Sequence, residues 1–513
     1  MRKMILTNIF IALLLILVIS LNQETPLTAA HAGTYYVSPE GSDSNPGTED
    51  KPWKTIQRAA DTAAPGSTII IKAGTYFERV NIRLSGASAD KPTVFKAQQG
   101  DKVIIDGSES SPEEQEELVR ISDCSFVQLI GLELTNNITD EDDFLLSGIG
   151  VWGEGEGIEI RDCRIHHIWH TGASNDSSAH GIAVYGRNGE NPVSGLIING
   201  NEIWDIKSGA GSAVALSGNV DGFMFTENHV RDIENIGIAL LGDKKLGGEP
   251  VCIPEKNNRA RNGFVGYNTV EGCSRKGKPG AGSAGYEFAG IKADGAKDVT
   301  IAYNICTGND IGVAVENETP GKACSGITVR DNLIYGNHAG GIQAGSDNAG
   351  KGWSADCRFF NNTLYKNHGE SKGKGEIIVG KSHDLLFYSN IIHTGPGNLA
   401  VSTENLGKKN IYNISFNYNL YYGPGGARGL RFSGLDTGLV GLNMWKQKTG
   451  QDKNSRIADP RFSDADGTDF SLLQNSPAID AGDPGYTPEA GMLDFAGKSR
   501  ISGRAIDCGA YEF

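Results

Sequence analysis

Three features of the sequence predict an all-β fold, a right-handed parallel β-helix of about ten three-strand coils with an N-terminal helical cap. The first is a recurring phrase of two apolar residues at alternate positions, then Asn three places on, then another apolar residue. It reads Leu196-x-Ile198-x-x-Asn201-x-Ile203 and Phe223-x-Phe225-x-x-Asn228-x-Val230, and returns around Asn304, Asn332, Asn362, Asn390 and Asn419. The second is another short strand before most units, seen as Gly148-Ile149, Gly181-Ile182, Gly237-Ile238, Gly290-Ile291 and Gly341-Ile342. The third is glycine, 69 of 513 residues, which suits a chain that turns several times per coil.

Alternation of apolar residues marks short strands rather than helices. One unit cannot bury its apolar face alone, so the units must stack into a continuous core. Anchors for the stacking are Leu132, Cys163, Asn201, Asn228, Asn268, Asn304, Asn332, Asn362, Asn390 and Asn419. Each Asn is expected at a bend, its amide bonded to backbone and to the Asn of the next coil.

Taken in order, residues 1–32 read as a secretory signal. Arg2 and Lys3 give a positive start, Ile9 to Leu21 is apolar, and Ala30-His31-Ala32 is an A-x-A cleavage site. Past Pro52, residues Trp53, Ile56, Ala60 and Ala63 share one helical face, predicting a helix over 53–63 that caps the open end of the solenoid. The solenoid with its cap is expected over 33–423. A C-terminal region, 424–513, packs on it or follows it. No later apolar run is long enough to span a bilayer, so a secreted, extracellular monomer free of the membrane is expected. The formal net charge of -15 argues against nucleic acid and anionic membranes as partners. Most of the eight Cys, including Cys163, Cys273, Cys306 and Cys357, fall in apolar slots of the repeat and read as core thiols. Cys252 and Cys324 fall in loops, and although secretion would permit a disulfide between them, none is expected.

The stretch from Tyr35-Tyr36-Val37-Ser38-Pro39 to Asn45-Pro46-Gly47-Thr48, and Lys51-Pro52-Trp53-Lys54-Thr55-Ile56-Gln57 after it, resemble the opening of secreted bacterial β-helix proteins of the pectate-lyase-like superfamily. Ala458-Asp459-Pro460-Arg461-Phe462, Ser476-Pro477-Ala478-Ile479-Asp480 and Asp507-Cys508-Gly509-Ala510-Tyr511 resemble that group's C-terminal region. The resemblance implies the β-helix fold and a carbohydrate-active protein. The group mixes polysaccharide lyases, glycoside hydrolases, epimerases and proteins of no known activity. The polygalacturonase Asp-Asp and Gly-His-Gly pattern is absent, as is a clear Asp-Asp-Gly calcium motif of the family-nine pectate lyases.

In the Gly-Ile-x-Val strands, Ile and Val point inward and the residues between them point outward. Two outward columns result. One runs Gly150, Ala183, Ala215, Ala239, Lys292, Ala314, Gln343, Ile378; the other runs Trp152, Tyr185, Ser217, Leu241, Asp294, Glu316, Gly345, Gly380. Charge appears only at Lys292, Asp294 and Glu316, on two consecutive coils. Long loops lie nearby. The Asn268 to Asn304 gap is 36 residues against 28 for the next, and its surplus includes Arg275, Lys276 and Lys278. Another loop, 169–180, ends at His180, and an insertion at 243–262 borders the other side. These loops are expected to wall a groove whose floor offers Trp152 and Tyr185 to sugar rings, with His180 and Gln343 beside them.

Coils stack about 4.8 Å apart, so the Asp294 and Glu316 carboxylates are expected roughly 5 Å apart. Three readings stay open. In a lyase acting on a uronate-containing, pectin-like glycan, Lys292 takes the C5 proton if its pKa is lowered. Asp294 and Glu316 hold Ca²⁺ against the uronate, and Arg275 and Lys276 add positive charge. In a retaining glycoside hydrolase, Asp294 and Glu316 are nucleophile and acid/base. In a glycan-binding or cell-wall protein, Lys292 only pairs with a carboxylate. The lyase is the leading expectation.

Overall fold

The computed structural model describes residues 32–513 except 114, 142–143, 173–177, 210, 245–252, 275–287, 368–373, 436 and 490. Short parallel strands wind into a β-helix with three faces. The front face holds the Gly-Ile strands, such as Ala289–Asp294 and Ile311–Glu316. The side face holds the strands that precede each Asn, and the back face, a 13-stranded sheet, the strands that follow it. Front and side faces join into one 26-stranded sheet because Ser212–Thr226 runs unbroken through both. The back sheet has more strands than the ten coils expected. The added coils, such as Gly74–Tyr76 and Val103–Asp106, carry no Asn and so escaped the repeat pattern.

The bend between side and back faces explains the repeat. The residue before most ladder Asn residues is left-handed, as at Glu227, Tyr267, Tyr303 and Asp331 (φ 54° to 61°). That conformation costs a non-glycine residue about 1–2 kcal/mol, offset here by the ladder. Asn304 donates from its backbone N–H and its Nδ2 to Asn332 Oδ1 at 2.9 and 3.0 Å, and again from Nδ2 to the Val265 carbonyl. The same pattern links Asn201, Asn228, Asn268, Asn304, Asn332, Asn362, Asn390 and Asn419. A second, shorter ladder runs Asn309, Asn337, Asn367 and ends on the fully buried Glu376. Inside, Phe359, Phe387 and Phe416 stack at 4.6 and 4.5 Å. All seven described cysteines are buried and free, Cys324 among them; Cys252 lies outside the described residues.

Near the start, the helix is Ile56–Thr62, shorter than the expected 53–63. Trp53 is instead bridged to Val37, and the Thr55 side chain accepts from the Arg58 N–H, so the helix begins after Thr55. Beyond residue 424 the chain first adds front and back strands, Arg431–Ser433 and Arg456–Ile457, with the helix Leu442–Thr449 between them. It then packs back along the coils. Asn361 donates to the Asp507 carbonyl, Ala510 N–H to Thr363 Oγ1, and buried Arg500 pairs with Asp331 and Glu512 at 3.0 and 3.1 Å. Among the described residues no helix is long and apolar enough to cross a membrane.

Candidate active site

Strand register places the two outward columns as the sequence predicts. Ala183 pairs with Ala215, Ala239 with Lys292, Lys292 with Ala314, and Ala314 with Gln343. Leu241 pairs with Asp294 and Asp294 with Glu316. Lys292, Asp294 and Glu316 therefore meet on neighbouring strands, and each is under 5% exposed.

Two further side chains complete the cluster. Glu318, two residues past Glu316, reaches back with one carboxylate oxygen 2.7 Å from Lys292 Nζ and the other 3.1 Å from Lys244 Nζ. Lys292 Nζ is also 2.9 Å from Glu316 Oε1, and Lys244 Nζ 2.8 Å from Asp294 Oδ2. The Glu318 N–H donates to Asp294 Oδ1 at 2.9 Å, and Gln343 Nε2 donates to Glu316 Oε2 at 3.2 Å. Two ammonium groups thus alternate with three carboxylates. Glu318, 38% of its side chain exposed, and Lys244, 27%, form the solvent side; Lys292, Asp294 and Glu316 form the floor.

The electrostatics correct the expected role of Lys292. Burial favours its neutral form, but Glu316, Glu318 and Asp294 outweigh burial and raise its pKa. The lowered pKa that a resting lysine base requires is not present. Burial raises the Glu316 pKa although Lys292 opposes it. In Glu318 burial acts upward too, but Lys292 and Lys244 prevail and hold it ionised.

The metal role of Asp294 and Glu316 also does not fit the residues. Oxygens of both already receive lysine, amide or backbone N–H donors, and a lysine on each carboxylate repels a cation. No group of three or more His, Cys, Asp or Glu among the described residues is arranged for a metal ion.

The aromatic floor is differently used. Trp152 and Tyr185 pack on each other at 4.5 Å, Trp152 lies between Arg120 and Arg187 (5.5 and 5.4 Å), and its Nε1 donates to Glu117. Tyr185 is buried. These rings are occupied by the protein itself and offer no open platform. His180 is buried, its Nδ1 bonded to Ser212, and burial pushes its pKa down to about 4, so it is a neutral strand-to-strand link rather than a helper at the site. Gln343 supports Glu316. Arg275, Lys276 and Lys278 lie outside the described residues.

Sequence reasoning missed Glu318 and Lys244. Glu318 continues the outward alternation of Glu316, a usable signal. Lys244 is the second residue of the 243–262 insertion, and it follows Asp243, which Arg259 and Asn317 hold at 3.1 and 3.2 Å; sequence carries no sign of that anchoring.

A family model described as "Pel9A-like, right handed beta helix region" matches residues 35–230. The uncharacterized protein YwoF of Bacillus subtilis (strain 168) is 32% identical over 472 residues, 89% of this chain and 94% of that protein. Pectate lyase PEL9 of Emericella nidulans is 38% identical over 119 residues, 21% of this chain and 29% of that protein. The crystal structure of pectate lyase Pel9A aligns with a TM-score of 0.50 at 16% identity, covering 94% of this chain and 97% of that one, a likeness of fold.

Proposed function

The chain belongs to the pectate-lyase-like right-handed β-helix superfamily, in one family with YwoF, and on that premise we propose that it is a polysaccharide lyase cleaving a uronate-containing glycan by β-elimination. The observation that carries this reading is Glu318: one half-exposed carboxylate bridges two lysines at 2.7 and 3.1 Å. That is the contact a uronate carboxylate requires before its neighbouring C5 proton becomes acidic enough to leave. The part-length likeness to a pectate lyase supports the same substrate class.

In this reading the substrate carboxylate replaces Glu318 on Lys244 and Lys292, spreading the charge that develops as C5–H breaks. Glu316, 2.9 Å from Lys292, takes the C5 proton while Lys292 stays an ammonium on the substrate carboxylate. Burial has raised the proton affinity of Glu316, which suits it to that role. The C5 electron pair forms the C4–C5 double bond, the C4–O bond to the next sugar breaks, and the departing oxygen takes a proton from solvent to leave as a hydroxyl. Asp294 holds Lys244 and the Glu318 N–H in place. No step uses calcium. Extracellular action belongs to the same proposal and rests on the signal read in residues 1–32.

The test is mature protein on pectic, alginate and neutral polysaccharides, read in parallel for unsaturated uronate absorbance and for new reducing ends, with and without chelator. Absorbance from a uronate polymer, insensitive to chelator, is expected. A second reading, a retaining hydrolase, draws on the opposed behaviour of Glu316, pushed towards protonation, and Glu318, held ionised. New reducing ends without absorbance would select it.

A further inference from the structure

We propose a second glycan-binding site, a track of aromatic rings and lysines that runs from the charged cluster towards the C-terminal end of the solenoid and takes the distal sugars of a uronate chain; it rests on the lyase reading. The track follows the corner where front strands turn into side strands, the corner at which Glu318 sits. On successive side strands, His383 pairs in register with Tyr412, and their rings stack at 4.9 Å with 10° between planes. Trp353 lies before them, 6.4 Å from His383. Tyr412 is 45% exposed, whereas Ile411, Ile414 and Phe416 of its strand are buried. Unlike Trp152, between two guanidiniums, this row ends on an open ring.

Tyr412 also lines a cavity of about 470 Å³ with Glu404, Asn405, Lys408, Ser433 and Leu435. A ring face, a few hydrogen-bonding groups and an apolar contact are what a sugar ring needs to be held in one orientation. Positive charge selects among sugars. Lys381 lies 5.6 Å over Trp353, and its ammonium donates to the neutral carbonyls of Ala349 and Lys351. Burial favours the neutral form of Lys351, but Asp347, 3.0 Å away, together with Glu316 and Glu318, prevails and holds it charged. Lys408 stands at the cavity. Lysines at the start, middle and end of the row fit a chain with a carboxylate on each sugar.

The distance fixes the ligand's size. The front strand that ends at Thr403 follows Ile311–Glu316 by three coils, about 14 Å at about 4.8 Å per coil. Only an oligomer of several sugars reaches from cluster to cavity, so the track distinguishes long chains from short.

The test compares binding of trigalacturonate and hexagalacturonate by calorimetry in the Glu316→Gln background, which keeps both carboxylate-binding lysines and removes the proton acceptor, so cleavage does not interfere. The hexamer is expected to bind at least tenfold tighter than the trimer. Tyr412→Ala should reduce that ratio to within about twofold, and Tyr412→Phe, which keeps the ring, should preserve it. A ratio that survives Tyr412→Ala, or that is absent before mutation, overturns the proposal. The two readings separate cleanly. Unsaturated products without a length preference sink the track and leave the lyase standing; a ring-dependent length preference without unsaturated products does the reverse.

Discussion

The asparagine ladder and the charged cluster are both buried polar systems built on coil-to-coil register, at different corners of one solenoid. In the ladder every coil supplies the same neutral amide, and each amide is satisfied by the next. In the cluster two coils and two flanking turns supply five unlike charges, and the solvent side is closed by a half-exposed carboxylate. A neutral stack of identical groups has one arrangement and serves rigidity. A mixed stack with an exposed member can exchange that member for a ligand of the same charge. The difference between the two marks off a scaffold from a site.

Removing one member is the harshest way to test that contrast. Lys292→Met leaves Glu316 buried without its cation and should cost about 3–5 kcal/mol in denaturant unfolding. Adding Glu316→Gln should recover part of that loss, because the two effects are coupled. The raised pKa of Lys292 fixes the pH dependence. Its stabilisation is complete below the unfolded value of about 10.4 and is lost only as pH rises through the higher folded value. Lys292 itself therefore adds no pH dependence across neutral pH, and the deficit should shrink only as falling pH protonates Glu316, which has lost its cation; a deficit that grows as pH falls would contradict the assigned charges.

In the ladder, Asn332→Ala orphans the buried backbone N–H of Asn304 and takes one acceptor from its Nδ2, which keeps the Val265 and Ala302 carbonyls, and should cost about 1–3 kcal/mol by the same assay. Glu376, where the shorter ladder ends, is the instructive exception. Burial raises its pKa well above the usual value although Asn367 donates to it. Stability should be full below the unfolded carboxyl pKa, about 4.3, and fall as pH rises toward the folded value. Glu376→Gln should therefore raise the Tm at pH 7 and leave it unchanged at pH 4. Equal Tm at both values would show that the charge is not penalised there.

The mildest expected change in stability is at Glu318. Half exposed, it should cost less than about 1 kcal/mol when replaced by Ala. As the substrate carboxylate's internal competitor, however, its loss should lower KM for polygalacturonate severalfold. An unchanged KM would mean that the lysines do not receive substrate.

Much of this was legible from sequence because strand period and coil repeat are rigid rules. Asn304, Asn332, Lys292, Asp294 and Glu316 fall where alternation puts them. What alternation cannot say is what lies over an outward residue. Trp152 points outward as read, yet two arginines cover it; His180 points at Ser212 instead of a ligand. Lys244 arrives from a turn, where no period holds. The cavity at Tyr412 forms between coils and the turns that follow them, a juxtaposition only the folded chain provides.

The most direct test of the charged cluster as the active centre is the rate of unsaturated uronate formation from polygalacturonate by wild type and by Lys292→Met, each verified as folded at the assay temperature. Wild type should produce the absorbance and Lys292→Met should not. A Lys292→Met protein that cleaves at the wild-type rate would place the chemistry elsewhere on the solenoid.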